Sequence, residues 1–257
     1  MKNNRIPFMG IYIDNMDANE IVNHVIECVE KKTPVQIVGV NVDQIVTVKK
    51  SATSMRIFRD AELVFIDGKP IKWMCSLLGR KVKARITGPD LMEYICEKGA
   101  GKGLKIYLLG AGPGVAKKCG EILEQKYPGI HAVGHYSPPF GFQNDPEEMK
   151  KINTMLKESG ADLLFVGMGS PKQDIFIYEN MKVYGIPVSF SMGAALDFIA
   201  GNVKRAPRWM VRCGLEWIHR ISQNPKRLWK RYLVTDMAII PMFIKEIFLK
   251  SATALIR

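Results

Sequence analysis

A chain of 257 residues, 47% of them hydrophobic, is long enough for one large α/β domain or for such a domain with an appendage, and its apolar share suits a buried core. The stretch Met1 to Ile13 carries Lys2 and Arg5 around a short apolar run, which fits neither a secretory signal nor a spanning helix and predicts a cytoplasmic protein. The net charge of +12 is uneven: from Gly201 onward 12 Lys or Arg face three acids, while the first 200 residues hold 25 basic and 22 acidic side chains. A near-neutral body with a cationic tail predicts an anionic partner for the tail, be it phospholipid, a phosphorylated lipid or nucleic acid. Cys28, Cys75, Cys96, Cys119 and Cys213 are widely spaced without a Cys-x-x-Cys pair, so they read as buried reduced thiols rather than disulfides or zinc ligands.

In chain order, short Val/Ile/Leu-rich runs alternate with helical patterns. Strands are predicted at 10–13, 35–40, 63–66, 105–109, 131–136, 163–166 and 187–190. Helices are predicted at 18–31, 42–50, 71–78, 88–97, 115–126, 147–157 and 172–183. Pro just inside the first turn after a capping residue marks helix starts at Thr87-Gly88-Pro89-Asp90 and Asn144-Asp145-Pro146-Glu147. This alternation predicts a doubly wound α/β fold with a mainly parallel sheet over residues 1–200.

Residues 201–257 break the pattern and are predicted to form a helical, basic appendage. Lys204, Arg205, Arg208, Arg212, Arg220, Lys226, Arg227, Lys230 and Arg231 are interleaved there with Trp209, Trp217, Trp229 and Tyr232. The run Leu233 to Leu249 is apolar but holds Asp236, Pro241, Lys245 and Glu246, which suits lying on a membrane or packing on the domain better than crossing a bilayer. A solvated basic face on a core helix is the plainer alternative.

Ligands of open α/β sheets bind outside the carboxyl ends of the strands, so four strand ends are candidate site segments. The apolar run Leu63 to Ile66 ends in Asp67-Gly68, where Asp67 is either a partly desolvated general base or the cap of the helix that follows. Gly110-Ala111-Gly112-Pro113-Gly114 lets backbone N–H groups approach a phosphate, yet its spacing is not the dinucleotide fingerprint, and the next strand, ending at Tyr136, offers no acid for a ribose. Gly110, Gly112 and Tyr136 are placed among the substrate-binding candidates. Gly167-Met168-Gly169-Ser170-Pro171-Lys172-Gln173 repeats the strand, turn and helix-start pattern, with Gln173 either orienting a sugar hydroxyl or capping the turn. Asp197, after Gly193-Ala194-Ala195-Leu196, either accepts hydrogen bonds from a nucleobase or simply favours a helix start.

No Asp-x-Asp pair is present, and His24, His131, His135 and His219 share no metal-ligand spacing, so no metal and no cofactor are expected. A leaving diphosphate would then be balanced by arginines, lysines and backbone N–H groups.

Val40-Asn41, Phe65-Ile66-Asp67-Gly68, Arg85-Ile86-Thr87-Gly88-Pro89-Asp90-Leu91, the Gly167 to Gln173 segment, Gly193 to Gly201, Arg205-Ala206-Pro207-Arg208-Trp209 and Gly214-Leu215-Glu216-Trp217 together resemble the TagA/WecG/CpsF family of bacterial glycosyltransferases over nearly the full chain. The resemblance implies metal-independent, inverting transfer of N-acetylmannosamine or its uronic acid from a UDP-sugar. The implied acceptor is a sugar on undecaprenyl diphosphate, at the inner face of the membrane, in teichoic acid, common antigen or capsule synthesis. It also implies that Asp67 is the general base, that Asn41, Arg85 and Gln173 line the sugar pocket, and that Asp197 lies near the uracil. Arg220, Arg227 and Lys230 fall where the family's appendage offers cations to diphosphates, and Arg231 is grouped with them as a contact to lipid diphosphate or membrane. Teichoic-acid members carry Thr two residues before the asparagine, where this chain has Gly39, which leaves a uronic acid or hexose donor open. The rival readings are a capsule hexosyltransferase, a noncatalytic membrane-docked nucleotide-binding protein and a nucleic-acid binder.

Overall fold

The structure, a computed structural model, describes residues 4–255; the side chains of Arg208, Arg212 and Arg227 and of residues beyond 248 lie outside that description. The described chain opens on an antiparallel hairpin of β1 (Arg5–Phe8) and β2 (Ile11–Asp14), with Met9 and Gly10 at φ 47° and 83° in its turn. The 10–13 strand therefore belongs to this hairpin and not to the main sheet. Asp14 ties the hairpin down by accepting from Arg5 Nε at 2.7 Å and from the Val64 backbone N–H at 2.8 Å.

Next come α1 (Ala18–Lys31), β3 (Val35–Val40), α2 (Val42–Lys50), α3 (Ala52–Asp60) and β4 (Leu63–Ile66). The chain crosses over through α4 (Lys69–Leu77) and α5 (Gly88–Gly99) to β5 (Lys105–Gly110), α6 (Val115–Lys126) and β6 (His131–Tyr136). It returns through α7 (Pro146–Glu158), β7 (Leu163–Gly167), α8 (Lys172–Tyr184), β8 (Val188–Ser191) and the short α9 (Ala195–Ile199). Asp17 and Glu20 form a capping box at α1, and Asn41 and Gln44 form another at α2, so local polar residues fix where these helices start.

The six main strands are all parallel, in the order β4-β3-β8-β7-β5-β6, with helices on both faces. Burial on both faces explains why β4 and β7 read as continuous apolar runs, while the equally buried β3 and β8 carry Gln36, Ser189 and Ser191. On one face Ile37, Leu63, Leu108 and the stacked rings of Phe165 and Phe190, 5.1 Å apart, pack beneath α1, α5 and α6. The other face is shared by two clusters, one around Val38, Val40, Val64 and Ile66 and one around Leu109, Leu164 and Val166. Edge strand β6 alternates between exposed and half-buried residues, as a strand with one free side does.

After Ala200 the chain is helical: α10 (Arg208–Cys213), α11 (Glu216–Gln223), α12 (Pro225–Lys230), irregular turns over Arg231–Thr235 and Asp236–Ala238, and α13 (Ile239–Leu255). Three anchors hold this segment on the sheet domain. Arg205 Nη1 donates to Asp90 Oδ1 at 2.7 Å and its Nη2 to Thr87 Oγ1 at 3.2 Å. Gly214, at φ 73°, lies so close to α4 that a methyl group on it would sit 2.7 Å from the Trp73 ring. Glu246 on α13 accepts from both terminal nitrogens of Arg80 at 3.3 Å and from the Met9 N–H at 3.4 Å. The Arg205–Asp90 side chains are 43% and 49% exposed, so the pair stabilises by no more than about 1 kcal/mol and serves mainly to orient the segment. Among the described residues no helix is long and apolar enough to cross a membrane.

Candidate active site

A cleft of about 1040 Å³ opens at the carboxyl ends of the parallel strands. Its wall includes Gly39 and Asn41 after β3, Asp67 after β4, Gly110 and Gly112 after β5, Gly167 and Gln173 around the end of β7, and Asp197 on α9. The C-terminal segment closes one side with Glu216, Trp217, Arg220 and Arg231. Strand polarity thus brings together most of the residues singled out in the sequence.

Asp67 follows β4 directly, and its backbone N–H and that of Gly68 both donate to the Val40 carbonyl, at 3.0 and 3.2 Å. Gly68 must be glycine here because a Cβ would lie 2.9 Å from Asn41 Cβ, and this close approach sets Asn41 beside Asp67. The following helix, α4, is capped by Gly68 without a side-chain bond, so Asp67 is not its cap. Burial pushes the Asp67 carboxyl above the usual carboxylate range, and Glu216 adds to that shift by repulsion. Arg220, Arg85 and a hydrogen bond with Asn41 pull the other way. A carboxylate held in this balance keeps its affinity for a proton while two guanidiniums stand near it, which is the setting of a general base beside developing anionic charge.

The glycine-rich ends pack on one another. Gly110 is at φ 104°, and a methyl group there would lie 2.6 Å from the Gly167 carbonyl oxygen, which itself accepts from the Ala111 N–H at 2.7 Å. Gln173, 1% exposed, accepts through Oε1 from the Gly169 N–H at 3.1 Å and the Gly193 N–H at 2.9 Å. It therefore locks the loop after β7 to the loop after β8, the turn-capping alternative of the two read from its sequence context. Asn41 likewise spends its Oδ1 on the Gln44 N–H, at 3.3 Å.

Not every candidate reaches the cleft. Tyr136 ends the edge strand, and its hydroxyl bonds Glu148 at 2.5 Å and Lys151 Nζ at 2.6 Å, outside the cleft wall. Lys230 is exposed and is not part of that wall, and the Arg227 side chain lies outside the described residues. Arg220 does reach it, stacked 5.4 Å from the Phe198 ring centroid with Tyr232 Oη 3.4 Å from its Nη1. Arg231 is paired with Asp43 at 3.0 Å, and buried Asp236 nearby is pushed up to about 6 by burial, with Asp43 adding repulsion and Arg231 opposing. Glu216, 4.0 Å from Arg85 through Oε2 and Nη1, was visible in the sequence only as a member of a motif; its docking into the cleft depends on tertiary packing.

Gly39 lies opposite Phe65 in the β3–β4 register, and a Cβ on it would come within 2.7 Å of the Phe65 ring. Any side chain at position 39 would press on this ring. Four of the five cysteines are buried as expected, whereas Cys213 is exposed. Away from the strand ends that form the cleft, His24 Nε2 lies 2.9 Å from Glu62 Oε1 and 3.6 Å from Cys28 Sγ, a grouping invisible to a search for His–His spacing. Hydrogen bonding to Cys28 and Glu62 raises His24 to about 10, which favours its charged form beside Glu62.

Glycine turns, the Asp67 carboxyl and the Arg85 and Arg220 side chains thus share one cleft at the carboxyl ends of a parallel sheet. The glycosyl transferase WecG/TagA/CpsF family model matches residues 6–253, and the chain belongs to that family of glycosyltransferases. It is 30% identical over 177 residues to an N-acetylglucosaminyldiphosphoundecaprenol N-acetyl-beta-D-mannosaminyltransferase of Bacillus spizizenii. It is 31% identical over 177 residues to the protein of the same name from Bacillus subtilis. Each match covers 69% of this chain and 66% of the relative, just under two thirds of the relative's length.

Proposed function

We propose that this chain transfers a sugar from a UDP-sugar to a sugar carried on polyprenyl diphosphate, by single displacement with inversion and without a metal ion. The acceptor hydroxyl oxygen attacks the anomeric carbon and its proton passes to Asp67. The C–O bond to the diphosphate breaks, and UDP leaves with the bonding electron pair, its charge balanced by Arg85 and Arg220. The observation that carries this reading is the meeting of Asp67, Arg85 and Arg220 in one cleft, with Arg220 supplied by the C-terminal segment. Asn41, Gln173 and the glycine turns frame the donor, and Asp197 stands for the uracil end.

The activity named for the two Bacillus relatives supports N-acetylmannosamine as donor sugar and GlcNAc-diphosphoundecaprenol as acceptor. The Phe65 ring over Gly39 removes a polar group from the pocket and favours testing a uronic acid or a plain hexose beside it. UDP at one hundred times its Kd stabilises the protein by about 2.7 kcal/mol. UMP, lacking the second phosphate, stabilises it less at equal concentration, and a melting temperature indifferent to both would reject a nucleotide-diphosphate site.

The C-terminal segment acts, in this account, as an appendage that docks on an anionic membrane surface. Leu233, Met237, Ile240, Ile244 and Ile247, spaced three or four apart, and Phe248 beside the last are between 40% and 69% exposed, with Lys245 exposed among them. Arg205 and Arg231 are paired with acids and Arg220 faces the cleft, so these cations do not form an outward stripe for nucleic acid. Burying one such side chain is worth roughly 1.5–3 kcal/mol. The double variant Ile244→Glu/Phe248→Glu therefore loses at least about hundredfold in partition onto vesicles of phosphatidylglycerol and phosphatidylethanolamine. Equal co-sedimentation of the variant and the original protein would rule out this docking face.

A further inference from the structure

Asp67 faces two guanidiniums and one carboxylate, and the carboxylate is the unexpected member. Glu216 and Arg220 stand one turn apart on α11, both aimed into the cleft, whereas Arg85 comes from the loop before α5. Glu216 Oε2 is 4.0 Å from Arg85 Nη1, with side chains only 29% and 17% exposed, and its charge is felt by Asp67 and Arg205 as well. The remaining charged side chains of the cleft wall include Asp43 paired with Arg231, Lys69 over Trp73 and Lys172 over Phe140, together with Asp197 and Asp236. A carboxylate so near a base opposes the base's ionisation, so its place needs a compensating purpose. The contact with Arg85 supplies one: Arg85 is held between two carboxylates instead of collapsing onto Asp67 alone.

We propose that Glu216 is a positioning residue that holds the Arg85 guanidinium between itself and Asp67. This deepens the reading of Asp67 as general base and rests on it for its kinetic consequence. Gly214, seated on Trp73, and Arg205, held by Asp90 and Thr87, both lie on the chain just before α11 and fix its approach to the cleft.

The test is the carboxyl carbon-13 titration of Asp67 in the full chain, identified by its loss in Asp67→Asn, alongside kcat/KM against pH. In Glu216→Gln a repulsive charge is gone and the released Arg85 guanidinium closes on Asp67, so Asp67 ionises more easily and its midpoint and the acid limb of kcat/KM both move to lower pH. The plateau falls roughly ten- to hundredfold because Arg85 is misplaced. Glu216→Asp recovers part of the plateau. Arg220→Gln, on the same helix, moves the midpoint to higher pH. Midpoints that shift the same way in Glu216→Gln and Arg220→Gln report a loosened helix and overturn the proposal, as does an unmoved midpoint in Glu216→Gln. A midpoint that moves while the kinetic limb stays put supports the assembly and instead removes Asp67 from the role of base.

Discussion

Asp67→Asn lowers acceptor-dependent turnover by about 10² to 10⁴, the usual worth of a positioned general base, while the protein keeps its fold and its affinity for UDP. Asn has the same shape and can still hydrogen-bond the Asn41 amide group. The folded-state carboxyl is raised by burial and by Glu216, so its contribution to stability is complete below the ordinary carboxylate pKa and is lost as pH rises through the raised value. At neutral pH the substitution removes a charge that the site disfavours. The variant's melting temperature therefore equals or exceeds that of the original protein near pH 7, and its relative stability falls toward pH 4. Near-original turnover in this variant would take the catalytic role from Asp67.

Gln173→Leu has the largest structural effect. The leucine fills much of the same buried volume but leaves the N–H groups of Gly169 and Gly193 without their acceptor. An unpaired donor costs about 1–3 kcal/mol when buried, and these two are only part-buried at the cleft wall, so together they cost about 1–3 kcal/mol. For a chain of this size each kcal/mol lowers the melting temperature by about 2–4 °C, which calorimetry resolves easily. UDP affinity falls with it, because the loops after β7 and β8 lose their shared anchor. Unchanged stability with weakened donor binding would mean instead that Gln173 acts directly on the ligand.

Much of the architecture was legible because short Val/Ile/Leu-rich stretches alternate with helical patterns, and β3, β4 and β6 begin and end where the sequence places them. Helix α3 was missed because it follows α2 with only Ser51 between them, no Gly or Pro marking a boundary. Strand β1 was missed because Arg5–Phe8 is short and contains Pro7, and its partner was assigned to the wrong sheet. Strand polarity carries Asp67, Gly110 and Gly167 to the cleft, and Gln173 reaches it from the first turn of α8. Tyr136 also ends a strand, but β6 is the sheet edge, so its hydroxyl meets α7 instead of the cleft. Glu216, the Phe65 ring over Gly39 and the His24–Cys28–Glu62 grouping depend on which helix or strand docks where, which local patterning does not encode.

The most direct test is UDP release from a panel of UDP-sugars with a lipid-diphosphate GlcNAc acceptor, in EDTA, comparing the original protein with Asp67→Asn. The account predicts release from one donor that requires the acceptor, persists without divalent metal and falls about 10² to 10⁴ in the variant. Release that is independent of acceptor or of Asp67, or absent with every donor, would contradict it.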